Sequence, residues 1–277
     1  MAGIAAERSE AGYRLLDSEF AQFQGLLHRL AGISLSPAKK ALVCGRLAKR
    51  IKHHRLDSYG EYFQLLTSGR EPQELQVAID LLTTNETYFF REPKHFEFLR
   101  ARILPARRPG TPFRVWSAAC SSGEEPYSIA MLLADTLHEA PWEIVASDLS
   151  TRVLERARSG LYAMERAERI PPDYLRAFCL KGVGRQEGTF MIDRRLRGRI
   201  DFRQINLNEQ LPRLGEFDVI FLRNVMIYFD VDTKRKVVQR LMAALKPGGH
   251  LMIGHSESLN GVCDEPRVVV PSIYRKP

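Results

Sequence analysis

Val115-Trp-Ser-Ala-Ala-Cys-Ser-Ser-Gly-Glu-Glu-Pro126 is the stretch on which the fold turns. Phe113–Ala118 is a short apolar run that reads as a buried strand, and Tyr127–Leu137 carries the spacing of a helix, so the quoted residues form a strand-to-helix turn. Outward from it, Glu143–Ser147 reads as a second strand. Phe217–Leu222 and His250–Gly254 read as two more, separated by a helix over Thr233–Leu245 that ends in Lys-Pro-Gly-Gly. Strand and helix alternating in this way predict an α/β fold with a doubly wound, mainly parallel sheet. Ligands of such sheets sit beyond the carboxyl ends of the strands, where this turn lies. A dinucleotide site would ask for G-x-G-x-x-G; here a single glycine precedes two carboxylates. Glu124 and Glu125 at a helix start would repel a phosphate, which disfavours NAD and ATP and suits a cationic or hydroxyl-rich ligand. The same carboxylates would also complement a helix dipole with no ligand present. Ala146-Ser-Asp148 closes the next strand and places an acid where it can accept from both hydroxyls of a ribose, with capping of a helix over Ser150–Arg158 as the alternative. Together the two sites describe a nucleoside that carries positive charge, a description S-adenosylmethionine fits.

Length and composition frame this reading. The 277 residues are 44% hydrophobic and 27% charged, ordinary for a soluble globular protein of one large or two modest domains. The longest apolar run, Ala130–Ala134, is far too short to span a membrane. Glu7, Arg8, Glu10 and Arg14 stand where a secretion signal would be apolar. Cys44, Cys120, Cys179 and Cys263 lie far apart, without metal-ligand spacing, and read as free thiols of a reducing cytoplasm. A net charge of +8 points to an acidic partner: nucleic acid, an anionic membrane surface or an acidic protein segment.

The first hundred residues read as helical. Ser36-Pro37 starts a helix that runs to about His54, with Val43, Leu47 and Ile51 at four-residue spacing and Lys39, Arg46, Arg50 and His53 along one side. Further helices are expected over Tyr59–Leu66, Glu74–Leu82 and Pro93–Leu104. Three prolines and a glycine fall between Leu104 and Phe113, which marks a domain boundary. The expected organisation is a helical domain over 15–104, a linker over 105–112 and an α/β domain over 113–277. A small β insertion at about 161–205 would pair Thr189–Asp193 with Arg199–Gln204 after Gly182, Gly184 and Gly188.

Two further segments, Thr83-Thr-Asn-Glu-Thr-Tyr-Phe-Phe-Arg-Glu92 and Leu222-Arg-Asn-Val-Met-Ile-Tyr-Phe-Asp230, complete the pattern, the second at a strand end and so at the same sheet edge. With the 115–126 turn, Ala-Ser-Asp148 and Gly254-His-Ser-Glu-Ser258, their order and spacing resemble the CheR family of chemotaxis receptor methyltransferases, from about Phe20 to the last residue. The resemblance implies a protein-glutamate O-methyltransferase that uses S-adenosylmethionine, releases S-adenosylhomocysteine and carries a three-stranded antiparallel insertion. It implies cofactor contacts from Asn85, Thr87, Arg91, Glu125, Asp148, Asn206, Leu207, Arg223 and Asn224, with Asn206-Leu207 in a shorter match. It puts Arg91 and Tyr228 at the methyl-transfer centre. It also makes the basic side of Lys39, Arg46, Arg50 and His53 a face for receptor cytoplasmic domains, and the insertion a dock for a receptor's C-terminal peptide by strand addition.

The chemistry asks little of the protein. A glutamate side chain, with an unperturbed pKa of about 4.3, is already a carboxylate at neutral pH, so no general base is needed. Alignment of the reacting atoms can supply roughly 7–11 kcal/mol. Arg91 suits a clamp on a carboxylate, because guanidinium grips two oxygens in a fixed geometry. Tyr228 would supply a wall and one hydrogen bond, while His255 reads as a structural strand-end residue. Two alternatives stand beside this reading. One is a nucleic-acid methyltransferase using the N-terminal domain, which lacks a stacking platform of interleaved aromatic and basic residues. The other is a non-catalytic cofactor sensor, against which the intact Asn85, Arg91, Glu125, Asp148 and Tyr228 speak.

Overall fold

The computed structural model describes residues 12–277. The charged stretch Glu7–Glu10 lies outside them. The chain divides into two compact units, one ending at Thr83 and one beginning at Thr84.

The first unit is four helices: α1 (Asp17–Ala31), α2 (Lys40–His53), α3 (Tyr59–Thr67) and α4 (Pro72–Leu82). A short 3-10 turn, Pro37–Lys39, leads into α2 at the expected Ser-Pro start. Val43, Leu47 and Ile51 of α2 are fully buried with Phe23, Tyr59 and Tyr62, so the four-residue spacing does mark the core side. Ser58 caps α3 by accepting from the Glu61 N–H at 3.1 Å, and Glu61 in turn accepts from the Asp57 N–H at 2.8 Å.

A buried carboxylate ties this unit together. Glu74 on α4 is 5% exposed and accepts from Arg50 Nε at 2.8 Å, Tyr62 Oη at 2.6 Å and His54 Nε2 at 3.1 Å. Burial works to raise its pKa, but the bonds from Arg50, Tyr62 and His54 outweigh it and bring the group down to about 2. A depressed carboxylate stabilises the fold above its unfolded pKa, and that stabilisation disappears as pH falls from about 4.3 toward 2. Glu74→Ala is expected to destabilise this unit by about 2–3 kcal/mol at pH 7, since it strands Arg50 and Tyr62. Urea melts of the full chain at pH 7 and pH 2.5 would test this; an equal loss at both would rule out the charge as the cause.

The second unit is built on a seven-stranded sheet. Its strands are β1 (Phe113–Ser117), β2 (Trp142–Asp148), β6 (Ile200–Gln204), β7 (Phe217–Leu222), β8 (Leu245–Ile253), β9 (Arg267–Val270) and β10 (Ile273–Arg275), in the order β6-β2-β1-β7-β8-β10-β9. β6, β2, β1, β7 and β8 run parallel, and β10 and β9 close the edge antiparallel. Central β7 is buried along nearly its whole length, as a strand covered on both faces must be. Helix α6 (Glu124–Leu137) buries eight consecutive residues, 126–133, and packs on β2 beside α7 (Thr151–Ser159), while α10 (Val231–Ala244) packs on β8.

Two expectations are corrected here. The division falls at Thr83, not over 105–112. The helix from α5 (Pro93–Phe98), which widens into a π turn over Leu99–Ile103, buries Phe96, Leu99, Ile103 and Leu104 in the core of the sheet unit. The Pro-rich stretch after it is a surface turn between two parts of one core. The insertion also differs from the expected hairpin. Arg199–Gln204 supplies β6, which pairs parallel with β2 (Ala146 opposite Phe202). The small sheet is β3 (Leu161–Ala163), β5 (Thr189–Ile192) and β4 (Cys179–Lys181), three antiparallel strands in that spatial order.

Candidate active site at the carboxyl edge of the sheet

Strand order reverses at β1: the chain moves to β2 on one side and later returns to β7 on the other. A crevice opens at such a switch point. The turn after β1 reaches across it, with the Ala118 N–H on the carbonyl of Phe221 (2.9 Å) and the Cys120 N–H on that of Ser147 (2.8 Å). Gly123 ends this turn at φ +97°, where a Cβ would stand 2.9 Å from both Ala157 Cβ and Tyr162 Oη, so glycine serves the close packing of turn on α7.

Five segments converge on the crevice. Arg223, just past β7, is buried, its side chain 2% exposed. Its guanidinium donates to Glu92 Oε2 (Nε at 3.2 Å, Nη2 at 3.1 Å), to Glu125 Oε2 (Nη1 at 3.1 Å) and to the Arg91 carbonyl. Glu92 Oε1 accepts from the His255 N–H at 3.1 Å and from Asn224 Nδ2 at 3.4 Å. Glu125 Oε1 accepts from Ser117 Oγ at 2.6 Å. Glu257 holds the turn that precedes Tyr228, accepting N–H bonds from Gly254 (2.7 Å), Asn224 (2.9 Å) and Ile227 (3.3 Å). On the β2 side, Asp148 accepts from the Ser121 N–H at 2.8 Å and the Ser150 N–H at 3.0 Å.

Backbone strain gathers at this rim. Phe90, Glu92, Ser121 and Asn224 have φ of 51°, 57°, 49° and 57°. Such conformations are costly for residues with a Cβ and persist where neighbours dictate them.

The two acids that share Arg223 are pushed apart. Burial raises the pKa of Glu125, and the opposing pull of Arg223 and Ser117 does not restore it. Burial acts the same way on Glu92 but is outweighed by Arg223, the His255 N–H and Asn224, so Glu92 lies below the ordinary range. Behind them His95 is fully buried and its pKa falls to about 3, through burial and then Arg223. Ser272 Oγ donates to the Pro271 carbonyl at 2.6 Å, so the 2.7 Å contact with His95 assigns the proton to His95 Nε2. His95 Nδ1, 3.5 Å from Glu92 Oε2, has no hydrogen-bond partner among the described residues.

The rim brings together Arg91, Glu125, Arg223 and Asn224 from the expected set, with Asp148 linked through the β1 turn. Asn85 is tied to the same turn, its carbonyl accepting from Ser121 Oγ at 2.9 Å, and the Thr87 carbonyl accepts from Arg166 at 2.9 Å. Asn206 follows β6, accepting from the Asn208 N–H and donating to Glu209, both at 3.0 Å, and Leu207 is buried beside it. Tyr228 is half-buried, flanked by exposed Ile227 and Val231. Sequence reasoning passed over Glu92 and Glu257, although both stand in the quoted motifs. What hid them is that their partners lie far off in sequence.

The basic side of α2 is not uniform. Arg46 donates to the carbonyls of Leu82 (3.0 Å) and Thr83 (2.9 Å) and Arg50 is committed to Glu74, so both are turned to α4, while Lys39 and His53 are exposed. Nor is the first unit the seat of the positive charge. Residues 1–83 hold eleven Lys and Arg against nine Asp and Glu, whereas 151–205 hold thirteen against seven. The basic field therefore belongs mainly to α7 and the insertion.

The residues present fit a cationic nucleoside. Acids supply most of the side-chain acceptors at the crevice, and Ser150 Oγ beside Asp148 is a buried hydroxyl with no hydrogen-bond partner among the described residues. Comparison with known proteins agrees. The model of the CheR methyltransferase all-alpha domain matches residues 18–83, and that of the CheR methyltransferase SAM binding domain matches residues 85–272. The chain is 44% identical over 249 residues to a chemotaxis protein methyltransferase of Escherichia coli (strain K12), covering 89% of this chain and 86% of that one. It is 44% identical over 259 residues to chemotaxis protein methyltransferase 2 of Pseudomonas aeruginosa, covering 92% of each. With Borreliella burgdorferi's chemotaxis protein methyltransferase it shares 36% over 269 residues, 93% of this chain and 94% of that one. Both domains are matched in order and meet where the structure divides, so the chain belongs to the CheR methyltransferase family and its cofactor is S-adenosylmethionine.

Proposed function

We propose that this protein esterifies glutamate side chains on the cytoplasmic domains of chemotaxis receptors. The observation that carries the proposal is the rim itself: a buried arginine that bridges two carboxylates and holds the Arg91 carbonyl. When bound, S-adenosylmethionine supplies an already activated methyl group. In this reading Glu125 and Asp148 hold its cationic and ribose ends, with Asn85, Thr87, Asn206, Leu207, Arg223 and Asn224 completing the enclosure. Arg91 orients the incoming carboxylate without taking or giving a proton, and Tyr228 walls the approach.

The acceptor's surroundings fit the exposed features. Lys39 and His53 of the first unit offer a receptor face that costs no internal bond, with Arg46 and Arg50 contributing charge from behind. On the insertion, β4 is an outer strand with Leu180 and Val183 exposed by 58% and 78%, a surface suited to a tethering peptide added as a further strand. Among the described residues no helix is long and apolar enough to cross a membrane, and we place the action on the cytoplasmic side of the receptor.

Incubation with radiolabelled S-adenosylmethionine and receptor-bearing membranes tests the reaction. Label released as methanol in mild alkali is the expected result, because esters hydrolyse there and N-methyl groups do not. Alkali-stable label would overturn the ester, and label on added RNA or DNA would point to the nucleic-acid alternative.

A further inference from the structure

Arg91 sits on a segment with no helix or strand, between the end of α4 at Leu82 and the start of α5 at Pro93. Such a segment holds its shape only through what it touches. Asn85, Thr87 and Arg91 accept at their carbonyls from Ser121, Arg166 and Arg223, and the Phe90 N–H donates to Ser128 Oγ at 2.9 Å. One of these anchors comes from the insertion. Arg166 lies in the 3-10 segment Met164–Arg169 that follows β3, and it also pairs with Glu124, an acid fully buried at the start of α6.

The same 3-10 segment ends in Arg169, whose guanidinium carbon stands over the Tyr88 ring at 4.5 Å from its centroid. The Arg91 guanidinium carbon stands over that ring too, at 5.5 Å, and Arg91 Nη1 donates to the Glu86 carbonyl at 3.0 Å. Arg91 thus takes its bearing from its own loop and from an aromatic ring that the insertion braces. A guanidinium meant to meet a carboxylate in one orientation needs such a support, because a long side chain at a half-open rim otherwise samples many rotamers. An aromatic face can hold it without neutralising its charge, as a carboxylate partner would.

We propose that Tyr88 and Arg169 are positioning residues for Arg91, so that the insertion takes part in methyl transfer as well as in any docking. This rests on the reading that Arg91 faces the reacting centre. Removing Arg169 or the ring should leave Arg91 charged but loosely aimed. The expected signature is a fall in kcat of about tenfold, equivalent to about 1.4 kcal/mol and on the scale of a partly desolvated cation–π pair. KM for receptor and the affinity for S-adenosylhomocysteine should stay within about twofold.

The experiment compares Arg169→Ala, Tyr88→Ala, Tyr88→Phe and Arg91→Ala in the full chain. Receptor membranes and labelled S-adenosylmethionine give kcat and KM, and calorimetry with S-adenosylhomocysteine gives the affinity. The assay is repeated on receptor with its C-terminal segment removed. The proposal expects a kcat loss in both alanine variants, return to within threefold of wild type in Tyr88→Phe, which keeps the π face, and the same loss on the shortened receptor. Wild-type kcat in Arg169→Ala and Tyr88→Ala beside an impaired Arg91→Ala overturns the positioning role and leaves the Arg91 reading intact. An unimpaired Arg91→Ala overturns that reading itself. A loss in Arg169→Ala that appears only in KM, or disappears on the shortened receptor, assigns Arg169 to docking and overturns the proposal.

Discussion

Arg223→Ala is expected to remove methyl transfer, by at least about 100-fold, and to destabilise the α/β unit by about 3–5 kcal/mol. Both effects follow from one geometry. The guanidinium is almost wholly buried and its donors go to Glu92, Glu125 and the Arg91 carbonyl. Without it, two carboxylates, each 12% exposed, lose the cation they share. They would share a proton or draw in water, and either outcome moves the two loops that carry Arg91 and Asn224. Arg223→Lys should recover much of the stability and little of the rate, because an ammonium cannot reproduce a planar fork serving three acceptors at once. Thermal unfolding alongside receptor methylation checks the pair. A lysine variant with wild-type turnover would show that charge alone suffices and that the fork has no role.

The parts of the fold that were legible in the sequence are those where one local signal suffices. Phe217–Leu222 is an unbroken apolar run and is a strand over those same residues, because a central parallel strand is buried on both faces. Gly-Glu-Glu after a strand marked the turn that leads from β1 into α6. What local pattern could not supply was a partner far off in sequence. Pro-Ala-Arg-Arg-Pro-Gly-Thr-Pro announces a turn, but nothing in it tells whether contacts cross it, and Phe96, Leu99 and Leu104 do cross into the sheet core. Arg199–Gln204 reads as a strand in either setting, and only its pairing with β2 distinguishes sheet from hairpin. Arg46 and Arg50 fall on one helical side as charges do on a solvated face, yet their acceptors wait on α4.

The rim shows the same limit in sharper form. Arg91 and Glu92 are neighbours in sequence and invite reading as a surface pair. The positive φ of Glu92 turns its carboxylate inward to Arg223, and Arg91 goes instead to the Glu86 carbonyl and the Tyr88 ring. The motifs meet at one rim of the sheet; which side chain bonds to which inside them depends on backbone turns that composition does not encode.

Glu125→Gln separates function from stability in one variant. The side chain keeps its volume and one acceptor oxygen, while the charge goes and the second oxygen becomes an N–H donor. Burial raises the pKa of Glu125 beyond what Arg223 and Ser117 recover, so in the free protein the ionised form is a net burden on the fold. An acid whose folded pKa lies above its unfolded value binds more protons folded than unfolded between the two. Stability therefore falls as pH rises through that window. Glu125→Gln should melt at or above the wild-type temperature at pH 7, and the difference should vanish below about pH 4, where the native carboxyl is protonated in both states. On the proposal that Glu125 holds the cationic end of S-adenosylmethionine, affinity for it should move the other way, weakening about 100-fold, because a charge-assisted contact becomes a neutral one. Opposite signs are what a residue kept for binding at the expense of folding produces. A variant that melts lower and binds as tightly as wild type would make Glu125 a scaffold residue, and the acidic crevice would lose its role in holding the cofactor.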